Sequence, residues 1–207
     1  EILDLQEFLN ALGCNVMGAG TSTIRIIGGG KRHGAQYRIM PDRIVAGTLL
    51  AAAAITGGEV DLLGARADNI SSVIAKLRET GAEIRVIGDT ISIKGPRRPR
   101  ECKLVETLPY PGFPTDMQAQ MLALCTVGEG TSIIVENVFE NRFKHAAELV
   151  RMGADITAKD RAAIVRGVRD LMGTQVIAKD LRGGAALCLA GLRAIGKTVV
   201  YNAEHID

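Results

Sequence analysis

Asp180-Leu-Arg-Gly-Gly-Ala-Ala-Leu-Cys-Leu-Ala-Gly-Leu-Arg-Ala-Ile195 begins with an Asp, continues as a run of small apolar residues and stops at Gly196. Two other stretches are built the same way: Asp42-Arg-Ile-Val-Ala-Gly-Thr-Leu-Leu-Ala-Ala-Ala-Ala-Ile55 and Asp116-Met-Gln-Ala-Gln-Met-Leu-Ala-Leu-Cys-Thr-Val127. Each leads through a glycine into a β-like run: Gly58-Glu-Val-Asp-Leu-Leu63, Gly130-Thr-Ser-Ile-Ile-Val135 and Gly196-Lys-Thr-Val-Val-Tyr201. Seventy-four residues separate Asp42 from Asp116, and 64 separate Asp116 from Asp180. Self-similarity at such a spacing marks a repeated structural unit. Ala51 to Ala54 and Ala185 to Ala190 are apolar nearly all round, the pattern of helices buried on every side. We call the three segments A helices.

A second pattern is interleaved with the first. Amphipathic B helices end in Leu12-Gly13, Thr80-Gly81 and Met152-Gly153, each with glycine just past the helix end. Ile70, Val73, Ile74 and Leu77 form the i, i+3, i+4, i+7 stripe of a one-sided helix. A hairpin is expected after each B helix, over Val16 to Ile26, Glu83 to Ile93 and Asp155 to Val165. Ile24-Arg-Ile26 and Ile91-Ser-Ile-Lys94 alternate, so one face of each sheet is wet. Buried helices and half-wet strands place helices inside and sheets outside, the reverse of a doubly wound nucleotide-binding fold. Gly28-Gly-Gly30 opens no apolar helix and reads as a linker.

The units do not come out even. The A helix from Asp42 goes with the B helix Ile70 to Thr80, and the A helix from Asp116 with Arg142 to Met152. The A helix from Asp180 has its strand but no B helix before the sequence stops, and a B helix with hairpin (Ile2 to Leu12 onward) stands alone at the start. We expect this orphan to fill the gap beside the third A helix. A B helix standing clear of that gap, or exchanged into a second copy, counts against this.

Composition narrows the function classes. Of 207 residues, 47% are apolar and 23% charged, ordinary globular usage, while aromatics are only 3%, so aliphatic residues must build the core. A formal net charge of +2 gives no reason to expect nucleic acid. The basic cluster Lys94-Gly-Pro-Arg-Arg-Pro-Arg100 is broken by proline and reads as a solvated linker. Cys14, Cys102, Cys125 and Cys188 show no CxxC spacing, which fits free thiols in a reducing cytoplasmic location. The longest apolar run, Thr48 to Ile55, is too short to span a membrane. No signal peptide is visible, and the abrupt helix-like opening suggests a piece of a longer chain.

Chemistry is expected where A helices begin. A lone Asp there ordinarily caps its helix. Three equivalent helix starts brought together by the repeat would gather partial positive charge suited to an anion. Arg43 and Arg182 stand one and two residues past Asp42 and Asp180, placed either to bind phosphate bidentately or to pair with a neighbouring Asp. Pro109-Tyr-Pro-Gly-Phe-Pro-Thr-Asp116 is a stiff loop delivering Thr115 and Asp116 to a helix start. Asp116, kept ionised there, could accept a proton from a substrate hydroxyl. His33, His145 and His205 share no metal-ligand spacing, and no Ser or Cys nucleophile motif is present.

Pro41-Asp-Arg-Ile44, Phe113-Pro-Thr-Asp-Met-Gln-Ala-Gln120, Val138-Phe-Glu-Asn-Arg-Phe143, Asp180-Leu-Arg182 and His205-Ile-Asp207 together resemble the enolpyruvyl transferases that act on UDP-N-acetylglucosamine. The likeness runs essentially end to end. It implies an inside-out α/β barrel fold of repeated units, and transfer of enolpyruvyl from phosphoenolpyruvate to the sugar 3′-hydroxyl in cytoplasmic peptidoglycan synthesis. It implies no metal, no organic cofactor and no membrane partner. By the resemblance, Asp116 contacts and deprotonates the sugar hydroxyl, Val138 with Phe139 lines the uridine nucleotide site, and Arg182 binds phosphoenolpyruvate. Asp180 is a nearby active-site carboxylate, and Arg142, Asp42 and Arg43 lie near the domain interface.

Several family features fall outside the sequence. They are a Lys-Asn pair, the loop bearing the reactive cysteine with its arginine, and an arginine expected after Asp207. Residues 1–35 resemble the last repeat of the family's other domain, and 36–207 two full repeats and part of a third of the catalytic one. The expectation is a chain inactive by itself. A non-catalytic binding or scaffold module and an enolpyruvyl transferase of the shikimate pathway are the alternatives. A face built to meet the missing segments would favour self-association.

Overall fold

A computed structural model describes residues 1–206; Asp207, the last residue of the His205-Ile-Asp207 motif, lies outside the described residues. The chain divides into two compact units, Glu1–Asp42 and a second beginning at Arg43. The break between these units falls at 42/43.

The first unit is helix α1 (Ile2–Ala11) followed by the antiparallel hairpin of β1 (Asn15–Met17) and β2 (Arg25–Ile27). Asn10 ties the two together: its Nδ2 donates to Val16 O and its Oδ1 accepts from Val16 N, both at 2.8 Å. Tyr37 closes the unit from the far end. Its hydroxyl donates to Asp4 Oδ1 at 2.9 Å, and its ring meets Phe8 at 5.5 Å.

The second unit contains helices α2 (Arg43–Thr56), α3 (Ser71–Glu79), α4 (Gln118–Cys125), α5 (Ala146–Arg151) and α6 (Leu181–Arg193). Its strands are β3 (Glu59–Leu62), β4 (Glu83–Ile87), β5 (Thr90–Lys94), β6 (Leu104–Glu106), β7 (Thr131–Val135), β8 (Asp155–Lys159), β9 (Ala162–Arg166), β10 (Gln175–Ile177) and β11 (Val199–Tyr201). They form three sheets of order β3-β5-β4, β6-β7-β9-β8 and β10-β11. β6 pairs parallel with β7, and β10 with β11, across an intervening A helix; the other pairings are antiparallel. One complete repeat is therefore β6-α4-β7-α5-β8-β9. The first copy lacks the leading strand, and the third stops after β10-α6-β11.

The three A helices pack on one another, with the sheets outside. The approach is close: a Cβ on Gly47 of α2 would sit 2.9 Å from Met117 Sδ in the turn before α4, so any larger residue there would have to push that buried side chain aside. Burial on every side holds only for α4, all eight of whose residues are buried. The apolar wrap of α2 and α6 misled, because α2 exposes Val45 and Leu49 and α6 exposes Leu181, Cys188 and Leu192. Each of the three touches the other two, and α4 is backed besides by β7 and β9 of the four-stranded sheet, while α6 packs on β11 of a two-stranded one.

All three B helices end as expected. Gly13, Gly81 and Gly153 have φ of 86°, 94° and 94°, the left-handed conformation glycine tolerates. In each, the glycine N–H returns to a carbonyl three residues back and the next N–H to one five back: Gly81 to Arg78 and Ala82 to Leu77 are typical. The third B helix, α5, is shorter than the Arg142 to Met152 expected. Asn141 turns left-handed at φ 54° and Arg142 reaches away to another element, so the helix begins only at Ala146. No helix among the described residues is long and apolar enough to cross a membrane.

Candidate active site

The loop before α4 presents the central carboxylate. Leu108 N donates to Phe113 O at 3.0 Å and Gly112 N to Pro109 O at 2.8 Å, folding Pro109 to Phe113 back on itself. Buried Phe113 anchors the loop, and Thr115–Met117 forms a single 3-10 turn that leads into α4. Asp116 therefore stands at the helix start, yet its side chain caps nothing. Its Oδ1 accepts from Arg142 Nη2 at 2.6 Å, and Arg182 Nε lies 3.5 Å away. Burial works to raise the Asp116 pKa, but the Arg142 hydrogen bond and the Arg142 and Arg182 charges outweigh it. The carboxyl is held below its ordinary value and stays ionised.

Asp180 occupies the equivalent place on α6 and does the ordinary thing: its Oδ1 accepts from Gly183 N at 2.7 Å, capping the helix. Arg182, in the first turn of α6, reaches across to Asp116, so the starts of α4 and α6 meet through one ion pair. Arg142 lies over the Phe139 ring, its guanidinium carbon 4.7 Å from the ring centre. Arg43, the first residue of α2, lies over the Tyr110 ring in the loop before α4, at 5.9 Å.

Asp116, Phe139, Arg142, Asp180 and Arg182 line one open cleft of about 450 Å³, joined by Lys144 and Glu140. Its charged lining balances: Arg142, Lys144 and Arg182 face Asp116, Glu140 and Asp180. The anion site expected from converging helix starts is thus neutral in formal charge. Val138 is 42% exposed beside Phe139 and is tied down by its amide. Asp42 is the last residue of the first unit.

Three residues beside the cleft were not singled out as site candidates. His145, 3% exposed, lies behind Asp180, and its Nε2 has no hydrogen-bond partner among the described residues. Burial pushes its pKa down to about 4; the Asp180 charge opposes this and the Arg142 charge adds to it. A histidine without ligand spacing gave no signal for such a place. Thr115 and Glu136 tie Arg142 to the end of β7. A lone Glu after Ile133-Ile-Val135 shows nothing in sequence that separates it from a solvated strand end.

The profile of the family described as EPSP synthase (3-phosphoshikimate 1-carboxyvinyltransferase) matches residues 1–207. The chain belongs to the EPSP synthase family. Within it, the chain is 53% identical over all its length to UDP-N-acetylglucosamine 1-carboxyvinyltransferase 2 of Caldanaerobacter subterraneus subsp. tengcongensis, covering 50% of that relative. It is 54% identical to UDP-N-acetylglucosamine 1-carboxyvinyltransferase 1 of Symbiobacterium thermophilum, covering 47% of it. The chain thus spans about half the length of the curated relatives it matches. Among solved structures, the enolpyruvyl transferase NikO from Streptomyces tendae superposes with a TM-score of 0.86 at 26% identity, over 99% of this chain and 49% of that one. The EPSP synthase from Acinetobacter baumannii, at 23% identity and a TM-score of 0.71 over 97% of this chain and 50% of its own, shows the shared fold. The inside-out arrangement of helices and sheets is the family's fold.

Proposed function

We propose that the chain is the half of an enolpyruvyl transferase that carries the carboxylate acting on the sugar hydroxyl. The whole enzyme joins phosphoenolpyruvate to the 3′-hydroxyl of UDP-N-acetylglucosamine in cytoplasmic peptidoglycan synthesis. The hydroxyl O–H and the enol C–O bond to phosphate break, the sugar–enolpyruvyl C–O bond forms, and phosphate leaves with the proton. Asp116 takes the hydroxyl proton; Asp180 and Arg142 shape the cleft; Arg182 holds phosphoenolpyruvate; Val138 and Phe139 border the nucleotide. Asp42 and Arg43 contribute near the boundary with the other domain. The observation that carries the reading is Asp116, freed from capping and kept ionised by Arg142 and Arg182.

By itself the 207-residue chain turns nothing over. Phosphoenolpyruvate is densely anionic, and its transfer needs preorganised surplus cations. The cleft offers none, since three carboxylates match its three cations. The test is a chimera in which the Caldanaerobacter relative supplies every segment this chain does not span. Phosphate release from phosphoenolpyruvate is expected with UDP-N-acetylglucosamine and absent with 3-phosphoshikimate. The 207-residue chain in parallel should release none. Release with 3-phosphoshikimate in place of the sugar nucleotide sinks the substrate assignment, and release by the chain alone sinks its inactivity.

A further inference from the structure

Glu136 stands just past β7 and is 1% exposed, an expensive place for a carboxylate unless every lone pair is used. Four donors converge on it. Oε1 accepts from Thr107 Oγ1 at 2.9 Å, Val138 N at 2.9 Å and Phe139 N at 3.0 Å; Oε2 accepts from Thr115 Oγ1 at 2.8 Å. The last of these orients a hydroxyl. With its proton committed to Glu136, Thr115 Oγ1 turns a lone pair toward Arg142 Nη1, which donates to it. The other amino group of Arg142 donates to Asp116.

We propose that Glu136 is a positioning residue for the active site: through Thr115 it sets the guanidinium of Arg142 on Asp116, and through two amides it holds the Val138-Phe139 turn. An acceptor-only side chain is required. A glutamine of the same shape must present an amide N–H₂ to one of the four donors, and at Oε2 that donor is Thr115. Thr115 would then accept from the amide, and its own proton would be turned toward Arg142. The guanidinium is also stacked on Phe139, whose amide Glu136 holds. One buried carboxylate thus fixes Arg142 from its edge and from its face. The consequence for turnover rests on the proposed function; the positioning itself does not.

The test therefore uses the 207-residue chain without substrate. The Asp116 side-chain carboxyl is followed by ¹³C NMR through an acid titration, with circular dichroism confirming the fold. The wild-type midpoint is expected below that of an ordinary aspartate. Glu136→Gln should move it upward, and Thr115→Val, which removes only the hydroxyl, should do the same. Combined, the two should shift it no further than one alone, while Thr115→Ser keeps the wild-type midpoint. An Asp116 midpoint unchanged in folded Thr115→Val overturns the proposal, and so does full additivity in the double variant. If Glu136→Gln does not fold, Thr115→Val against Thr115→Ser still decides. A chimera that releases no phosphate would count against the proposed function while leaving this titration intact.

Discussion

Asp116 and Asp180 show how one residue type at one place in a repeat comes to do two things. Asp180 satisfies the orphan N–H of Gly183 and is consumed by it. Asp116 enters through a 3-10 turn that carries its carboxyl off the helix axis to the arginines. Sequence showed that both begin A helices, but not which one caps, because a one-turn change of helix type leaves no periodic signature. In the chimera, Asp116→Asn should lower the rate of phosphate release by roughly 100-fold or more, the scale of a lost general base; an unchanged rate removes Asp116 from that role. His145 makes a second prediction. Its folded pKa, near 4, lies below the ordinary 6.5, so the unfolded chain binds the proton first as pH falls. Above about pH 6.5 the residue costs nothing; between 6.5 and 4 stability declines by up to about 3 kcal/mol. Urea denaturation of His145→Gln at pH 7 and pH 5 should show less loss on acidification than the wild type.

At the scale of elements, glycines made the B helices legible, because a left-handed residue after a helix has few other occupants. Leading strands β6 and β10 were not legible: three residues each, they are too short to show alternation and exist by pairing with β7 and β11. The third B helix was read too long because Arg142-Phe-Lys-His145 has helical composition while Arg142 is held elsewhere. The repeat extends to a detail invisible in composition. Gly95 N donates to Gly58 O at 2.8 Å after β5, and Gly167 N donates to Gly130 O at 3.0 Å after β9. At both, a Cβ would strike main chain, that of Ala53 or of Gly128. Gly167→Ala should therefore cost about 1–3 kcal/mol or more of unfolding free energy, as overpacking against an unyielding backbone does. Gly153→Ala should cost less, about 1 kcal/mol, since only its left-handed φ is strained and nothing lies near its Cβ. Equal losses in urea melts would show the steric reading to be wrong.

On the scale of the whole molecule, the parts are unequally finished. The middle repeat has its helices, hairpin and leading strand; the third has only β10-α6-β11, and α6 exposes Leu181, Cys188 and Leu192. The first unit contributes the kind of part the third lacks, a B helix with a hairpin, and complementation of the two stays a proposal. Thiol chemistry reads this difference directly. Cys188 is exposed and Cys14 half-buried, whereas Cys102 and Cys125 are buried; burial raises the pKa of Cys102, Cys125 and Cys188, so access rather than pKa separates them. Titration with an aromatic disulfide should find two accessible thiols in the folded chain and four in denaturant. Three or more in the folded chain would mean that the core around α4 opens readily.

The complete enclosure of α4 carries a consequence for how the protein breathes. Amides of Met121 to Leu124 have no route to solvent short of separating α2 and α6 from them, so their hydrogen exchange should proceed only by global opening. The turn bearing Asp116 is continuous with that helix, whereas the Phe139 to Lys144 segment opposite is irregular and exposed apart from Arg142 and Phe143. One wall of the cleft thus belongs to the last part of the molecule to exchange, and the other is irregular backbone held at the Phe139 amide and the Arg142 side chain. Substrate would therefore meet one wall fixed by the whole fold and one fixed by a few polar contacts.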